Sequence, residues 1–176
     1  MTRLLGICGS LRRDSLNRRL LAEAARLIAP TEYREADLVM PLFNEELEVE
    51  GRLPDAAERF VDDIRWADAI IMATPEYNKS LSGALKNALD WMSRAKGAPM
   101  RDKPLAIMSA SDGRSGGERA QFALRLALVS FRPRMVPGPE VLLAYAHKAF
   151  DESGHLSDER AIRNLTDVVT QLKSYL

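Results

Sequence analysis

The sequence predicts an α/β protein in which strands and helices alternate along the chain. They are expected to form a doubly wound five-stranded parallel sheet with helices on both faces. Short apolar runs alternate with longer segments of helical period along all 176 residues, which is the pattern of such a sheet. The run at residues 69–73 is apolar at every position, as a strand covered by helices on both faces requires. No repeat, low-complexity stretch or linker interrupts the pattern. Residues 1–176 are therefore predicted to form a single domain.

The elements follow in a regular order. Strands are predicted over residues 4–8, 33–38, 69–73, 105–108 and 140–144, and the polar second strand is expected at or near an edge of the sheet. Each strand is followed by a segment with apolar residues at helical spacing. These segments are marked by Leu20 to Ile28 (with Arg18 and Arg19 on the polar face), Ala57 to Ile64, Leu85 to Met92, Ala120 to Phe131, and Ile162 to Leu172.

Composition narrows the possible functions. The chain has 25 Lys plus Arg and 25 Asp plus Glu, so no overall charge favours nucleic acid or an anionic membrane surface. Its single cysteine and two histidines argue against disulfides and against a metal cluster. The longest apolar run, residues 141–146, is far below the roughly 20 residues of a membrane helix. No signal-peptide pattern is visible, so we expect a cytoplasmic protein without membrane insertion.

Three unusual loops follow strands one, three and four, at residues 9–17, 74–80 and 109–117. They are called the first, second and third loop below. Ligands of doubly wound sheets bind at the carboxyl ends of the strands, where the strand order reverses. The first loop leads directly into a helix, whose free N–H groups favour an anion. A phosphate would find further donors on Ser10, Arg12, Ser15 and Asn17; alternatively, Ser15 is only a helix cap and the arginines are solvated.

The second and third loops have features that suit a flat ligand. Pro75 ends the central strand, and Tyr77 and Asn78 then bring a ring and an amide to the same edge. The small residues of the third loop allow close backbone approach. Each loop also has a simpler interpretation. The second loop could be a turn whose tyrosine covers the core, and the third could be a flexible surface loop. Taken together, the three loops predict one site for a phosphate-bearing heteroaromatic molecule.

Other phosphate-binding motifs are not supported. The chain has neither Gly-x-x-x-x-Gly-Lys-Ser/Thr nor Gly-x-Gly-x-x-Gly after its first strand. Low-molecular-weight tyrosine phosphatases carry Cys-x-x-x-x-x-Arg-Ser at this place in the fold. Here Asp14 stands where that arginine belongs, no Asp-Pro pair is present, and Cys8 lies in a predicted buried strand. A buried cysteine is usually an inert small hydrophobe.

Together these residues resemble the NADPH-dependent FMN reductase family, which has a flavodoxin-like fold. The resemblance covers nearly the whole chain and includes Gly9-Ser10-x-Arg12-x-x-Ser15-x-Asn17, Pro75-Glu76-Tyr77-Asn78, the run at residues 82–91, and Ser111-x-Gly113-x-x-Gly116-Gly117. It implies that the first of these motifs holds the FMN phosphate. It also implies that residues 75–78 lie against the isoalloxazine ring, and that Ser111 and Gly113 border the ring or the ribityl chain.

The resemblance further implies an enzyme in which NADPH or NADH reduces bound FMN and a small acceptor is then reduced in turn. Acceptors in the family include quinones, azo dyes, nitro compounds, chromate and free flavin. A flavodoxin-like FMN electron carrier and an FMN-free regulatory protein are the alternatives, and zero net charge argues against the carrier. Apolar residues beyond the core stripes, namely Trp91, Phe122, Leu126 and Val129, favour a homodimer. Whether two dimers join into a tetramer stays open. The roles of Arg114 and Arg119 stay open.

Overall fold

The structure is a computed structural model that describes residues 2–176. The strands are β1 (Arg3–Cys8), β2 (Glu32–Glu35), β3 (Ala69–Ala73), β4 (Pro104–Ala110), β5 (Arg134–Met135) and β6 (Val141–Leu143). The α-helices are α1 (Leu16–Ile28), α2 (Asp55–Trp66), α3 (Gly83–Met92), α4 (Glu118–Leu128) and α5 (Glu159–Lys173). None of these helices, in the part of the chain described, combines the length and apolarity needed to cross a membrane.

The strands form one parallel sheet in the order β2-β1-β3-β4-β5, with β6 also paired to β4. From β1 the chain moves outward to β2, and it then returns to the other side of β1 to form β3. This reversal is the switch point of a doubly wound sheet, and the order is that of flavodoxin-like folds. The predicted fold class is thereby confirmed, as is the edge position of the second strand.

Helices cover the sheet on both faces and create two apolar cores. One core lies beneath α1 and α5, and includes Leu20, Ile71 and Leu165. The other lies beneath α2, α3 and α4, and includes Ile70 and Phe60. Adjacent residues of β3 therefore point into different cores, which explains why every position of that strand is apolar.

Trp91 corrects one expectation, because it is fully buried within the subunit and adds nothing to an exposed apolar surface. Its indole N–H donates to the carbonyl of Pro41 over 2.8 Å, and its ring meets the Phe43 ring at 5.0 Å between centroids. Asn87, one turn before it, accepts the Phe43 N–H and donates to the same Pro41 carbonyl. The long connection between β2 and α2 thus covers this side of α3.

Over residues 2–176 the structure has one strand more than the five predicted. The last predicted strand, residues 140–144, contains β6, whereas the short strand β5 before it was not predicted. β5 pairs with the start of β4 and β6 with its end. Pro137 and Pro139 lie between these two strands and cannot donate hydrogen bonds to a neighbouring strand, so the pairing is interrupted there.

Candidate functional site

The three loops meet at one edge of the sheet. β1, β3 and β4 are neighbours in parallel register, so the loops that follow them emerge side by side. A cavity of about 120 Å³ lies between them and is lined by residues of all three loops. Eight of the ten predicted site residues line it: Ser10, Arg12, Ser15, Asn17, Pro75, Glu76, Tyr77 and Ser111. The other two, Asn78 and Gly113, are exposed residues outside its lining.

The first loop ends at the N-terminus of α1. Ser15 is the N-cap, and its side-chain oxygen accepts the N–H of Arg18 at 3.4 Å. The cap interpretation of Ser15 is therefore correct, but it leaves the N–H groups of Leu16 and Asn17 without acceptors inside the helix. Both residues line the cavity. A helix N-terminus with free N–H groups and the positive end of the helix dipole favours an anion here.

Asn17 has a structural role in addition to its place in the cavity. Its amide nitrogen donates to the carbonyl of Ala110, and its amide oxygen accepts the N–H of the same residue, both over 2.9 Å. This pair of bonds fixes the start of α1 to the end of β4. The first and third loops are thereby held at a defined separation.

Gly9 brings the first and second loops into direct contact. Its N–H donates to the carbonyl of Ala73 at 2.8 Å, and its carbonyl accepts the hydroxyl of Ser82 at 2.5 Å. A Cβ atom at Gly9 would lie 3.1 Å from both Pro75 Cδ and Ser82 Oγ. The absence of a side chain at this position is what permits so close an approach.

The second loop presents Tyr77 on a tight turn. Tyr77 and Ser80 exchange two backbone hydrogen bonds of 3.0 and 3.1 Å. Asn78 and Lys79 between them have φ values of 50° and 66°, as in the type I′ turns that join antiparallel segments. Tyr77 is 47% exposed, so it lines the cavity without covering the core. Asn78 lies at the tip of the turn, which explains its distance from the cavity lining.

The acidic side chains of the cavity lining are already bound to donors. The Glu76 carboxylate accepts the backbone N–H of Arg119 at 3.1 Å and lies 3.7 Å from its guanidinium. Asp112 accepts the N–H of His147 at 3.2 Å and lies 2.9 Å from its ring Nδ1. Since both carboxylates face groups outside the cavity, they oppose an anion less than free carboxylates would. Through its backbone N–H, Arg119 thus joins the start of α4 to the second loop.

The glycines of the third loop serve packing within the chain. Gly116 and Gly117 have φ values of 61° and 90°. A Cβ at Gly116 would lie 2.7 Å from the carbonyl carbon of Leu142, and one at Gly117 would lie 2.8 Å from Ser109 Cβ. Gly113, by contrast, has room for a side chain. Close packing of this loop against β4 and β6 therefore explains these two glycines, with no ligand required.

Cys8 is unsuited to nucleophilic chemistry. The residue is 3% exposed, and its thiol donates to the carbonyl of Ser10 at 3.4 Å. Burial raises the pKa of this thiol, because the charged thiolate would lose its solvation. The structure thus adds a second argument against a phosphatase.

The structure adds contacts for two arginines, Arg114 and Arg18. Arg114 lines a separate groove of about 710 Å³ between the third loop and the N-terminus of α5, together with Glu118 and Asp158. Arg18, assigned by its spacing to a solvated helix face, donates two side-chain hydrogen bonds to carbonyls of the first loop. Helical periodicity could not reveal this, because it places a side chain on a face and not on a partner.

The chain is similar to known flavin reductases in sequence. A model of the family described as NADPH-dependent FMN reductase matches residues 2–148. The NAD(P)H-dependent FMN reductase PA1204 of Pseudomonas aeruginosa is 47% identical over 161 residues, which cover 90% of this chain and 86% of that protein. A quinone reductase of Pseudomonas putida is 40% identical over 157 residues, with coverages of 87% and 83%.

Solved structures agree. FerB from Paracoccus denitrificans, a flavoenzyme NAD(P)H:(acceptor) oxidoreductase, is superimposable with a TM-score of 0.85 at 31% identity, over 99% of this chain and 97% of that one. A WrbA-like flavodoxin of Agrobacterium tumefaciens shares the fold, with a TM-score of 0.64 at 17% identity and full coverage of both chains. By the extent of these matches, the chain belongs to the NADPH-dependent FMN reductase family.

Proposed function

We propose that this protein binds FMN at the cavity between the three loops and passes a hydride from NADPH or NADH through it to a small acceptor. The observation that carries the proposal is the donor set at the start of α1. Ser10 is buried and lines the cavity, and its Oγ accepts the N–H of Arg12 at 3.4 Å. Arg12 adds a cation, and the first turn of α1 adds free N–H groups. These groups fit a phosphate. Ser15 and Asn17 also belong to the predicted set, although the Ser15 side chain caps α1 and the Asn17 amide pairs with Ala110.

Bound FMN supplies the hydride chemistry, and the chain supplies binding, orientation and access. Pro75, Glu76, Tyr77 and Asn78 are proposed to lie beside the flavin ring, with Ser111 and Gly113 at its border. The enclosed volume of about 120 Å³ is below the roughly 300 Å³ at which pockets for small molecules usually begin. The cavity therefore encloses only part of a mononucleotide and leaves the rest accessible to donor and acceptor. The names of the relatives support a quinone as the acceptor.

An absorption experiment tests this proposal. The purified protein is incubated with FMN, desalted, and mixed anaerobically with NADPH or NADH. Flavin peaks that are retained and then bleached support a reductase, and consumption of a quinone on mixing supports the acceptor class. Retained flavin that neither nucleotide bleaches would favour the electron carrier. Loss of all flavin on desalting would contradict the assignment of the cavity.

We also propose that the protein is a homodimer whose interface includes α4. Phe122, Leu126 and Val129 are 55%, 77% and 68% exposed, and their spacing puts them on one side of α4 and the turn after it. An exposed apolar stripe of this kind is typical of an interface. The stripe lies on the sheet face opposite to α5.

Sedimentation at micromolar protein tests the dimer. Leu126→Glu places a charge in the stripe and is expected to yield monomers. Ile162→Glu makes the same type of change at an exposed position of α5 and is expected to leave the dimer intact. A monomeric unmodified protein would contradict the proposal.

A cytoplasmic location is proposed as well. The single, unpaired cysteine supports it, and cell fractionation tests it.

A further inference from the structure

Arg18 connects α1 to two neighbouring segments through its side chain. Its Nη1 donates to the carbonyls of Arg12 and Arg13, over 2.9 and 3.2 Å. Its Nε donates to the carboxylate of Glu35 at the end of β2, over 2.5 Å. The side chains of Arg18 and Glu35 are 39% and 28% exposed, so the pair is only partly open to solvent. A single guanidinium therefore holds the middle of the first loop against β2.

These contacts set the direction of two successive peptide groups. In a trans peptide the C=O and the following N–H point in opposite directions. Because the carbonyls of Arg12 and Arg13 point to Arg18, the N–H groups of Arg13 and Asp14 point away from it. Neither N–H has an acceptor among the hydrogen bonds of the described residues. Arg13 and Asp14 lie outside the cavity lining, whereas Arg12 is part of it. Arg18 thus fixes the peptide groups that directly follow a residue of the cavity.

The ion pair with Glu35 explains why an arginine is needed. The planar guanidinium offers several N–H groups in fixed directions, so one edge can bind Glu35 while another binds the loop. An ammonium group at this position would have the charge but not this fixed geometry. The helix backbone contributes as well, since the N–H of Arg18 donates to the N-cap Ser15.

From this geometry we infer that Arg18 is a positioning residue, which holds the first loop in the conformation that binds the FMN phosphate. It acts through the peptide groups of the loop and through Glu35. This inference rests on the proposed function, because it requires the first loop to bind phosphate. It goes beyond the resemblance, which assigns the phosphate to Ser10, Arg12, Ser15 and Asn17 alone.

Binding of FMN and riboflavin to the apoprotein tests the inference, since riboflavin lacks only the phosphate. Arg18→Gln is expected to weaken FMN binding about tenfold and to leave riboflavin binding unchanged. A change of about tenfold is the usual effect of removing hydrogen bonds made by a charged group. Arg19→Gln is the matched control, because it removes the same charge from an exposed neighbour on the same helix. It is expected to bind both flavins as the unmodified protein does.

A second variant separates geometry from charge. Arg18→Lys keeps the charge and is expected to lose most of the same FMN affinity. Unmodified affinity in Arg18→Lys, or equal losses in Arg18→Gln and Arg19→Gln, would overturn the inference. Equal weakening of both flavins in Arg18→Gln would also overturn it, since that result indicates a general loosening of the fold. Results on the unmodified protein test the proposed function separately from this inference. The proposed function is contradicted if that protein binds no FMN, or binds FMN and riboflavin equally.

Discussion

Replacing Glu76 tests whether the second loop holds the start of α4. That helix follows Gly117, which has no side chain to cap it. The Glu76 carboxylate accepts the N–H of Arg119 in the first turn instead, at 3.1 Å. Glu76→Ala therefore leaves this N–H without its acceptor and also removes a negative charge from the positive end of the helix.

The expected magnitude follows from the burial of the two side chains. Loss of a helix cap costs about 0.5–2 kcal/mol. The Glu76 side chain is 12% exposed, so we expect Glu76→Ala to lower the free energy of unfolding by about 1.5 kcal/mol. The Arg119 side chain is 55% exposed and 3.7 Å away, so Arg119→Ala should cost at most about 0.5 kcal/mol while keeping the capped N–H.

Urea unfolding followed by tryptophan fluorescence measures these differences. Glu76→Gln keeps an acceptor without the charge and should lie between Glu76→Ala and the unmodified protein. Thermal unfolding should show a lowering of about 3–6 °C for Glu76→Ala. Equal unfolding midpoints for Glu76→Ala and Arg119→Ala, with unchanged slopes, would refute the capping role.

Three further predictions concern packing, pH and reactivity. Gly117→Ala should destabilise the protein by about 2–4 kcal/mol, because it adds both left-handed strain and a clash with Ser109, whereas Gly113→Ala should change stability by less than about 0.5 kcal/mol; denaturant unfolding measures both. Burial opposes a low pKa at Glu23, but hydrogen bonds from Arg26, His155 and the Leu156 N–H outweigh it and lower that pKa. Because the folded-state pKa is the lower one, this stabilisation is complete above the ordinary carboxyl pKa of about 4.3 and is lost as pH falls through the folded pKa. Unfolding of Glu23→Gln should therefore depend less on pH than that of the unmodified protein over about pH 3–5, and parallel pH profiles would contradict this. Iodoacetamide should label Cys8 in urea but not in the native protein, since its thiol is buried and its pKa is raised; rapid native labelling, read by mass spectrometry, would contradict it.

Several features of the site were predictable because they depend on local pattern. Apolar periodicity placed the ends of β1, β3 and β4 within two residues of their observed positions. Those ends define the loops, and the parallel arrangement brings them together. Pro75 and the small residues of the third loop marked the turns. The alternation of strands and helices indicates the fold class. The fold class in turn predicts that the three loops meet at one cavity.

Other features could not be read from local pattern because they depend on contacts between distant parts of the chain. The pairing of β5 with the start of β4, and of β6 with the end of the same strand, is one of them. The burial of Trp91 depends on the connection that contains Pro41 and Phe43. Its position on α3 made it a surface candidate, and only the packed structure shows what covers it.

The sequence by itself determined the alternation of elements, the three loops at the carboxyl ends of the strands and the family, since burial imposes a periodicity that is visible residue by residue. The tertiary structure decided which side chains of those loops are free to bind a ligand. Asn17 pairs with Ala110, Glu76 with Arg119, and Arg18 with Glu35. Each pair joins segments that only the order of the strands brings together. Side-chain direction and partner are properties of this three-dimensional arrangement, which local periodicity does not encode.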